Sequence, residues 1–203
     1  MKIAVVGATG RVGSRVVTEA LGRGHFVTAI TRDSNTVTPQ ANLVAAYADA
    51  GNAAELAVAL AGNDAVVSAL RFVDSDPTII VDALKRAGIK RYVVVGGAGS
   101  LEVAPGKQLV DQPNFPAEYR AESLKARDFL NVLRGEAGLD WTYLSPSAEF
   151  APGLRTGKFR LGHDQLLFDA NGKSSVSMED FAIALVDELE KPAHIRQRFT
   201  VGY

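Results

Sequence analysis

Residues 1–32, MKIAVVGATGRVGSRVVTEALGRGHFVTAITR, carry the pattern from which the rest of the chain can be read. Lys2–Val6 is a short apolar run rich in β-branched residues, the composition of a strand buried in a parallel sheet. Gly7, Gly10 and Gly13 follow at once with the spacing G-x-x-G-x-x-G. Gly13, Val16, Val17 and Ala20 then fall at i, i+3, i+4 and i+7, one face of a helix. Gly22 and Gly24 end that helix, and Phe26–Thr31 reads as a second strand. Glycine serves three mechanical needs here: a tight turn, close approach of a phosphate to bare backbone, and tight packing of helix on strand. The helix N-terminus adds unpaired N–H groups and a partial positive charge. A glycine triplet alone is weak evidence. Flanked by strand, helix and strand, it marks a dinucleotide site in which Gly7, Thr9, Gly10, Arg11, Val12 and Gly13 meet the pyrophosphate.

The end of the second strand bears on which dinucleotide binds. A carboxylate about 20 residues after the glycines holds the ribose 2′-hydroxyl of NAD, whereas an arginine accommodates the 2′-phosphate of NADP. The strand ends in Arg32, and Arg11 sits inside the glycine turn. Two guanidiniums near one ribose favour NADP, with NADPH preferred over NADH. Asp33 keeps NAD open, should the strand run one residue further.

With 203 residues, 47% of them hydrophobic and 22% charged, the chain is expected to form one domain spanning 1–203 with a substantial core. A net charge of −1 and the lack of any Lys/Arg block argue against nucleic acid and membrane surfaces as partners. Cysteine is absent, which removes disulfides, thiol catalysis and thiolate metal sites. His25, His163 and His194 have no ligand spacing, so no metal is expected. A core strand beginning at residue 2 leaves no room for a signal peptide, and a cytoplasmic monomer or homodimer is expected.

Beyond Arg32 the same rhythm repeats. Strands are expected at Leu43–Tyr47, Ala65–Leu70, Tyr92–Val95, Trp141–Ser145 and Phe199–Val201. Between them, Asn52, Asp76 with Pro77, and Ser177 start helices, Glu55 and Asp180 lying three residues after Asn52 and Ser177 as capping-box acids. The fold class is therefore α/β: a Rossmann-type, doubly wound parallel sheet with helices on both faces. Residues 100–118 and about 146–172 have no period and are expected as irregular walls of a substrate site.

Ligands of such sheets bind beyond the carboxyl ends of the strands. Asp49 and Ala50 are placed for the adenine edge, and Ala69, Leu70 and Arg71 would pass under the cofactor as backbone. Gly96, Gly97 and Gly99 would leave room for a flat ring, with Pro146 as the opposite wall. Phe115, Phe150 and Trp141 are candidates for ring stacking. Tyr119, Ser123, Ala126, Leu130 and Leu133 share a helical face, so the Tyr119 hydroxyl could reach the site.

The segments MKIAVVGATGRVGS, VVVGGAGS, DWTYLSPSAEF and SVSMEDFAIALVDELE together resemble the atypical short-chain dehydrogenase/reductases with an NAD(P)H-binding domain. Within these the chain is most similar to the NADH-flavin reductase group, related to the biliverdin reductase B and NmrA-like proteins. The resemblance spans essentially the whole chain. It implies an oxidoreductase that passes hydride from the nicotinamide to a flavin, quinone or similar conjugated acceptor, flavin being substrate and not resident cofactor. Ordinary members of the superfamily carry a Tyr-x-x-x-Lys pair; here Ser123 stands four residues after Tyr119 and Lys125 is two positions off. Gly96 and Gly97 occupy the place of the usual serine, with Ser100 a displaced substitute. An unassisted phenol ordinarily keeps its proton to about pH 10, so Tyr119 and Ser100, the candidates for alcohol/ketone chemistry, lack the assistance that such chemistry draws on. A non-catalytic NADP(H) sensor is the alternative, and a sugar-nucleotide epimerase or dehydratase the third.

Overall fold

The computed structural model describes residues 1–203, the side chain of Ser34 excepted. In chain order the elements are β1 (Lys2–Val6), α1 (Gly13–Gly22), β2 (Phe26–Thr31), β3 (Leu43–Tyr47), α2 (Ala53–Leu60), β4 (Ala65–Ser68), α3 (Pro77–Arg86) and β5 (Arg91–Val95). There follow β6 (Glu102–Ala104), β7 (Lys107–Gln108), α4 (Ala117–Arg134), β8 (Asp140–Pro146), β9 (Glu149–Ala151), β10 (Arg160–Gly162), β11 (Ser175–Ser177), α5 (Met178–Glu190) and β12 (Gln197–Gly202).

Eight strands form one sheet in the order β3-β2-β1-β4-β5-β8-β12-β10. All neighbours are parallel except β10, which runs antiparallel along the outer edge of β12. Alternation along each strand divides the core. Ala4, Val6, Tyr92 and Val94 face α2, α3 and α4, while Ile3, Val5, Val93 and Val95 face α1 and α5. Leu84 and Leu130 are fully buried on the first face; truncating either to alanine would cost about 2–5 kcal/mol. Strand order reverses between β1 and β4, because β1 continues to β2 and β3 on one side while β4 continues outward on the other. The crevice over that reversal is where the doubly wound fold places a ligand.

Two regions differ from what the sequence leads one to expect. Residues 100–118 are not structureless: β6 and β7 form a small antiparallel hairpin, and Leu101 and Val110 on its flanks are fully buried. Gly106 turns it with φ +71°, and Pro105 precedes it, a pairing that suits a tight turn. Residues 146–172 contain β9, which pairs with β11, and β10, which extends the main sheet. The expected acid of the α5 capping box also works elsewhere. Ser177 Oγ does accept from the Asp180 amide at 3.0 Å. The Asp180 carboxylate, however, accepts from the Thr156 and Gly157 amides at 2.7 and 2.9 Å and from the Tyr203 hydroxyl at 2.8 Å, anchoring an exposed segment.

Candidate functional site

The turn leaving β1 is built by missing side chains. Gly7 has φ +82°, and a Cβ there would stand 2.7 Å from the Ala69 carbonyl oxygen. A Cβ on Gly13 would stand 2.1 Å from the Gly7 oxygen, so the start of α1 rests directly on the turn. The Gly7 and Ala8 amides donate to Ile30 O, and the Gly10 amide to Gly7 O at 3.0 Å. Among the described residues, the amides of Thr9, Arg11, Val12 and Gly13 donate to nothing. Side chains of Asn52, Asp76 and Ser177 cap α2, α3 and α5, whereas α1 has neither a side-chain cap nor an acidic residue in its first turn. Four unpaired donors at an uncapped helix N-terminus suit a dianion held by backbone. The residues present therefore fit a diphosphate.

On the β2 side, Arg11 and Arg32 are both exposed. Thr9 Oγ1 lies 3.4 Å from Thr31 Oγ1, drawing the glycine turn against the end of β2. The Asp33 carboxylate is engaged in its own turn, accepting from the Asn35 amide at 3.0 Å. Asp49 behaves likewise: its Oδ1 accepts from the Gly51 amide at 2.9 Å, shaping the turn after β3, and Ala50 is half-buried beside it. Beyond β4, the Ala69 amide donates to Val6 O at 2.9 Å, Leu70 packs on the core and Arg71 is exposed, 3.6 Å from Asp74. Sequence reasoning missed Glu122, whose two oxygens accept from the Phe72 and Val73 amides at 2.7 and 3.0 Å and tie α4 to this loop.

The turn leaving β5 departs from expectation. Gly96, Gly97 and Gly99 do not open a slot for a flat ring. A Cβ on Gly96 would meet the Tyr143 ring at 2.3 Å, one on Gly97 the Ala126 methyl at 3.1 Å, and one on Gly99 the Ser123 Cβ at 2.6 Å. The space is filled by protein. Tyr143 is fully buried; its hydroxyl accepts from the Gly97 amide and donates to Ala126 O, both at 3.1 Å, and burial pushes its pKa up. Ser100 is 3% exposed and accepts from Arg198 Nη1 at 3.0 Å, so its hydroxyl belongs to a structural network that includes Asp164.

Tyr119 is 62% exposed at the start of α4, and Lys125 is exposed further along it. Pro146 is buried as the last residue of β8, in register with Val201. Phe150 packs on Phe181 with ring centroids 4.8 Å apart, and Phe115 lies under the Arg120 guanidinium at 5.6 Å. Trp141 is not a stacking candidate. It sits near the amino end of β8, 3% exposed, with Nε1 donating to Glu136 O at 3.1 Å. The structure thus gathers the glycine turn, Arg32, Ala50, Ala69–Arg71 and Pro146 along the carboxyl edge, while Ser100 and Trp141 are withdrawn into the protein.

This chain is similar over its length to proteins of several bacteria. The protein YwnB of Bacillus subtilis is 40% identical over 212 residues, covering 99% of this chain and 98% of its own. A candidate epimerase of Bacteroides thetaiotaomicron superimposes with TM-score 0.94 at 41% identity, covering 100% of this chain and 96% of that one. A candidate NADH-flavin reductase of Streptococcus pneumoniae does so with TM-score 0.86 at 34% identity, covering 100% and 99%. No helix among the described residues is long and apolar enough to cross a membrane. The sequence pattern described as NAD(P)H-binding matches residues 7–192, from the first glycine of the turn past the end of α5, and with the fold and the amide cradle in place the chain belongs to that NAD(P)H-binding family.

Proposed function

We propose that this protein is an NADPH-preferring reductase that delivers hydride to a flavin, a quinone or a similar conjugated small molecule. The observation that carries the reading is the set of unpaired amides at Thr9, Arg11, Val12 and Gly13, in a turn with no room for side chains. Those amides would hold the diphosphate, and Arg11 and Arg32 would grip a 2′-phosphate. Asp49 and Ala50 would border the adenine; Ala69–Arg71 and Pro146 would line the path to the nicotinamide. The bound cofactor supplies the hydride. This chain's own task is to align two flat groups and to exclude water, a proximity effect that needs no acid in contact with the acceptor.

Tyr119 supports that division of labour. With its ring 62% exposed and Ser123 in place of the lysine, the accompanying proton is drawn from solvent. Phe115 and Phe150 would border the acceptor, the latter held by its contact with Phe181. The Streptococcus neighbour's description as a candidate NADH-flavin reductase agrees with this acceptor class. The Bacteroides neighbour's description as a candidate epimerase fits less well, since this chain lacks the Tyr/Lys pair that such chemistry needs. Reliance on NADPH suits a cytoplasmic protein, acting as a monomer or homodimer on a small-molecule partner.

Calorimetry with NADPH and NADH, followed by absorbance at the reduced-nicotinamide band with FMN or a simple quinone, tests the reading. Tight binding of NADPH with turnover above the uncatalysed reaction is expected. Binding without turnover on either acceptor class overturns the reductase and favours the NADP(H) sensor, which the missing Tyr/Lys pair also fits.

A further inference from the structure

Arg15 lies outside the diphosphate cradle, yet it is joined to it. Its Nη1 donates to the Arg11 carbonyl at 2.5 Å, and its Nε donates to Glu179 Oε1 at 2.5 Å. The second oxygen of Glu179 accepts from the Gly153 amide at 2.7 Å, two residues past the end of β9. One continuous chain of hydrogen bonds thus runs from the glycine turn through α1 and the first turn of α5 to the segment that leaves β8 and carries Phe150. Arg15 and Glu179 are each about three-quarters buried.

A peptide plane makes the link consequential. In a trans peptide the carbonyl of one residue and the N–H of the next point in opposite directions within one rigid plane. Holding the Arg11 carbonyl toward Arg15 therefore aims the Val12 N–H the other way. Val12 N–H is one of the four unpaired donors. The planar fork of the arginine suits this task, since two of its nitrogens are fixed at once, one on the carbonyl and one on the carboxylate.

Building on the cofactor reading above, we propose that Arg15 and Glu179 are positioning residues for the dinucleotide: they set the Arg11–Val12 peptide that faces the diphosphate and couple it to the Gly153 end of the acceptor wall. Glu179 holds the guanidinium in place, and the guanidinium holds the peptide. Occupancy of the turn then also steadies residues 147–153, so that the acceptor wall is ordered when the hydride donor is present.

The test uses Arg15→Met, Glu179→Gln and the double variant of the full chain, with NADPH titrated by calorimetry and amide exchange followed at residues 147–158. Each single variant is expected to weaken NADPH binding roughly 5- to 10-fold, and the double variant no further than the worse single, the non-additivity of one relay. NADPH should slow exchange at the Gly153 amide in the wild type and not in Arg15→Met. Melting temperature is recorded alongside, because a purely structural pair would lower it while leaving affinity and NADPH-dependent exchange untouched. Wild-type affinity within twofold in both single variants, or effects that multiply in the double, overturns the relay. A wild-type protein that takes up neither NADPH nor NADH overturns the cofactor reading itself, and the relay with it.

Discussion

Two clusters of glycines stand where β1 and β5 end on the same edge of the sheet, and they do opposite things. At Gly7, Gly10 and Gly13 the missing Cβ atoms let backbone approach backbone, with Gly7 O and Ala69 O the atoms that side chains would strike. The result faces outward, with amides left over. At Gly96, Gly97 and Gly99 the missing Cβ atoms admit Tyr143, Ala126 and Ser123 from β8 and α4. The result faces inward, with the Gly97 amide consumed by the Tyr143 hydroxyl. Glycine at a turn thus reports only that something comes close. Whether that something is a ligand or the protein itself depends on which donors remain unpaired.

The sharpest way to break this contrast is Gly13→Ala. Its Cβ would meet a backbone oxygen at 2.1 Å, an atom with no rotamer to escape through. Movement of the whole turn is expected to weaken NADPH binding about 100-fold or more, roughly 3 kcal/mol, read by calorimetry. Gly96→Ala is the partner experiment. Overpacking against Tyr143 should cost about 2–3 kcal/mol of stability in thermal or urea unfolding while NADPH affinity in the folded protein stays within about threefold. Collapse of affinity with an unchanged melting point would mean that the second cluster is ligand surface after all.

Arg32→Asp sharpens the outward-facing side. NADPH should bind about 10- to 150-fold more weakly and NADH about as before, since one charge-assisted bidentate contact is worth about 1.5–3 kcal/mol. Equal affinities for NADPH in variant and wild type would move the 2′-phosphate away from Arg32. A smaller effect concerns the carboxylates that fasten the exposed segment 153–157 over α1 and α5. Arg155 beside Glu19, helped by Arg23 and opposed by burial, holds that carboxyl below its ordinary value of 4.5. Asp180 and Glu179 are also lowered: burial opposes it, and hydrogen bonds from Thr156 and Gly157, and from Gly153 and Arg15, outweigh burial. Groups with depressed folded values stabilise fully above their unfolded values, and that stabilisation disappears as pH falls through the folded ones. Melting temperature should therefore drop between about pH 5 and pH 3, less steeply in Arg155→Ala. Smallest of all is Tyr119→Phe: turnover with FMN should change less than about twofold, because an exposed phenol adds nothing that water lacks.

Much of the fold was legible. β1, β2 and β3 have the bounds that alternation and turn residues indicated, and Asn52, Asp76 and Ser177 cap the helices they were expected to cap. Such features are local: a cap needs only its own side chain and an amide two or three residues on. The misses are contacts across long stretches of chain. Trp141 looked available for stacking, but parallel pairing with Tyr92 puts it at the amino end of β8. Ser100 looked like a displaced substitute for the usual serine, but Arg198, 98 residues away, closes on it. The three-residue strands β9, β10 and β11 carry too little pattern to be read before their partners are known.

The sequence by itself determined that a glycine turn joins a buried strand to a helix and that strands and helices alternate thereafter, because periodicity and backbone sterics act within a few residues. Which glycine turn would be left with unpaired amides, and which would be filled by a tyrosine from another strand, only the tertiary structure decided. The reason is physical: an amide's availability depends on every acceptor that folding brings within reach of it, and most of those acceptors lie far away along the chain.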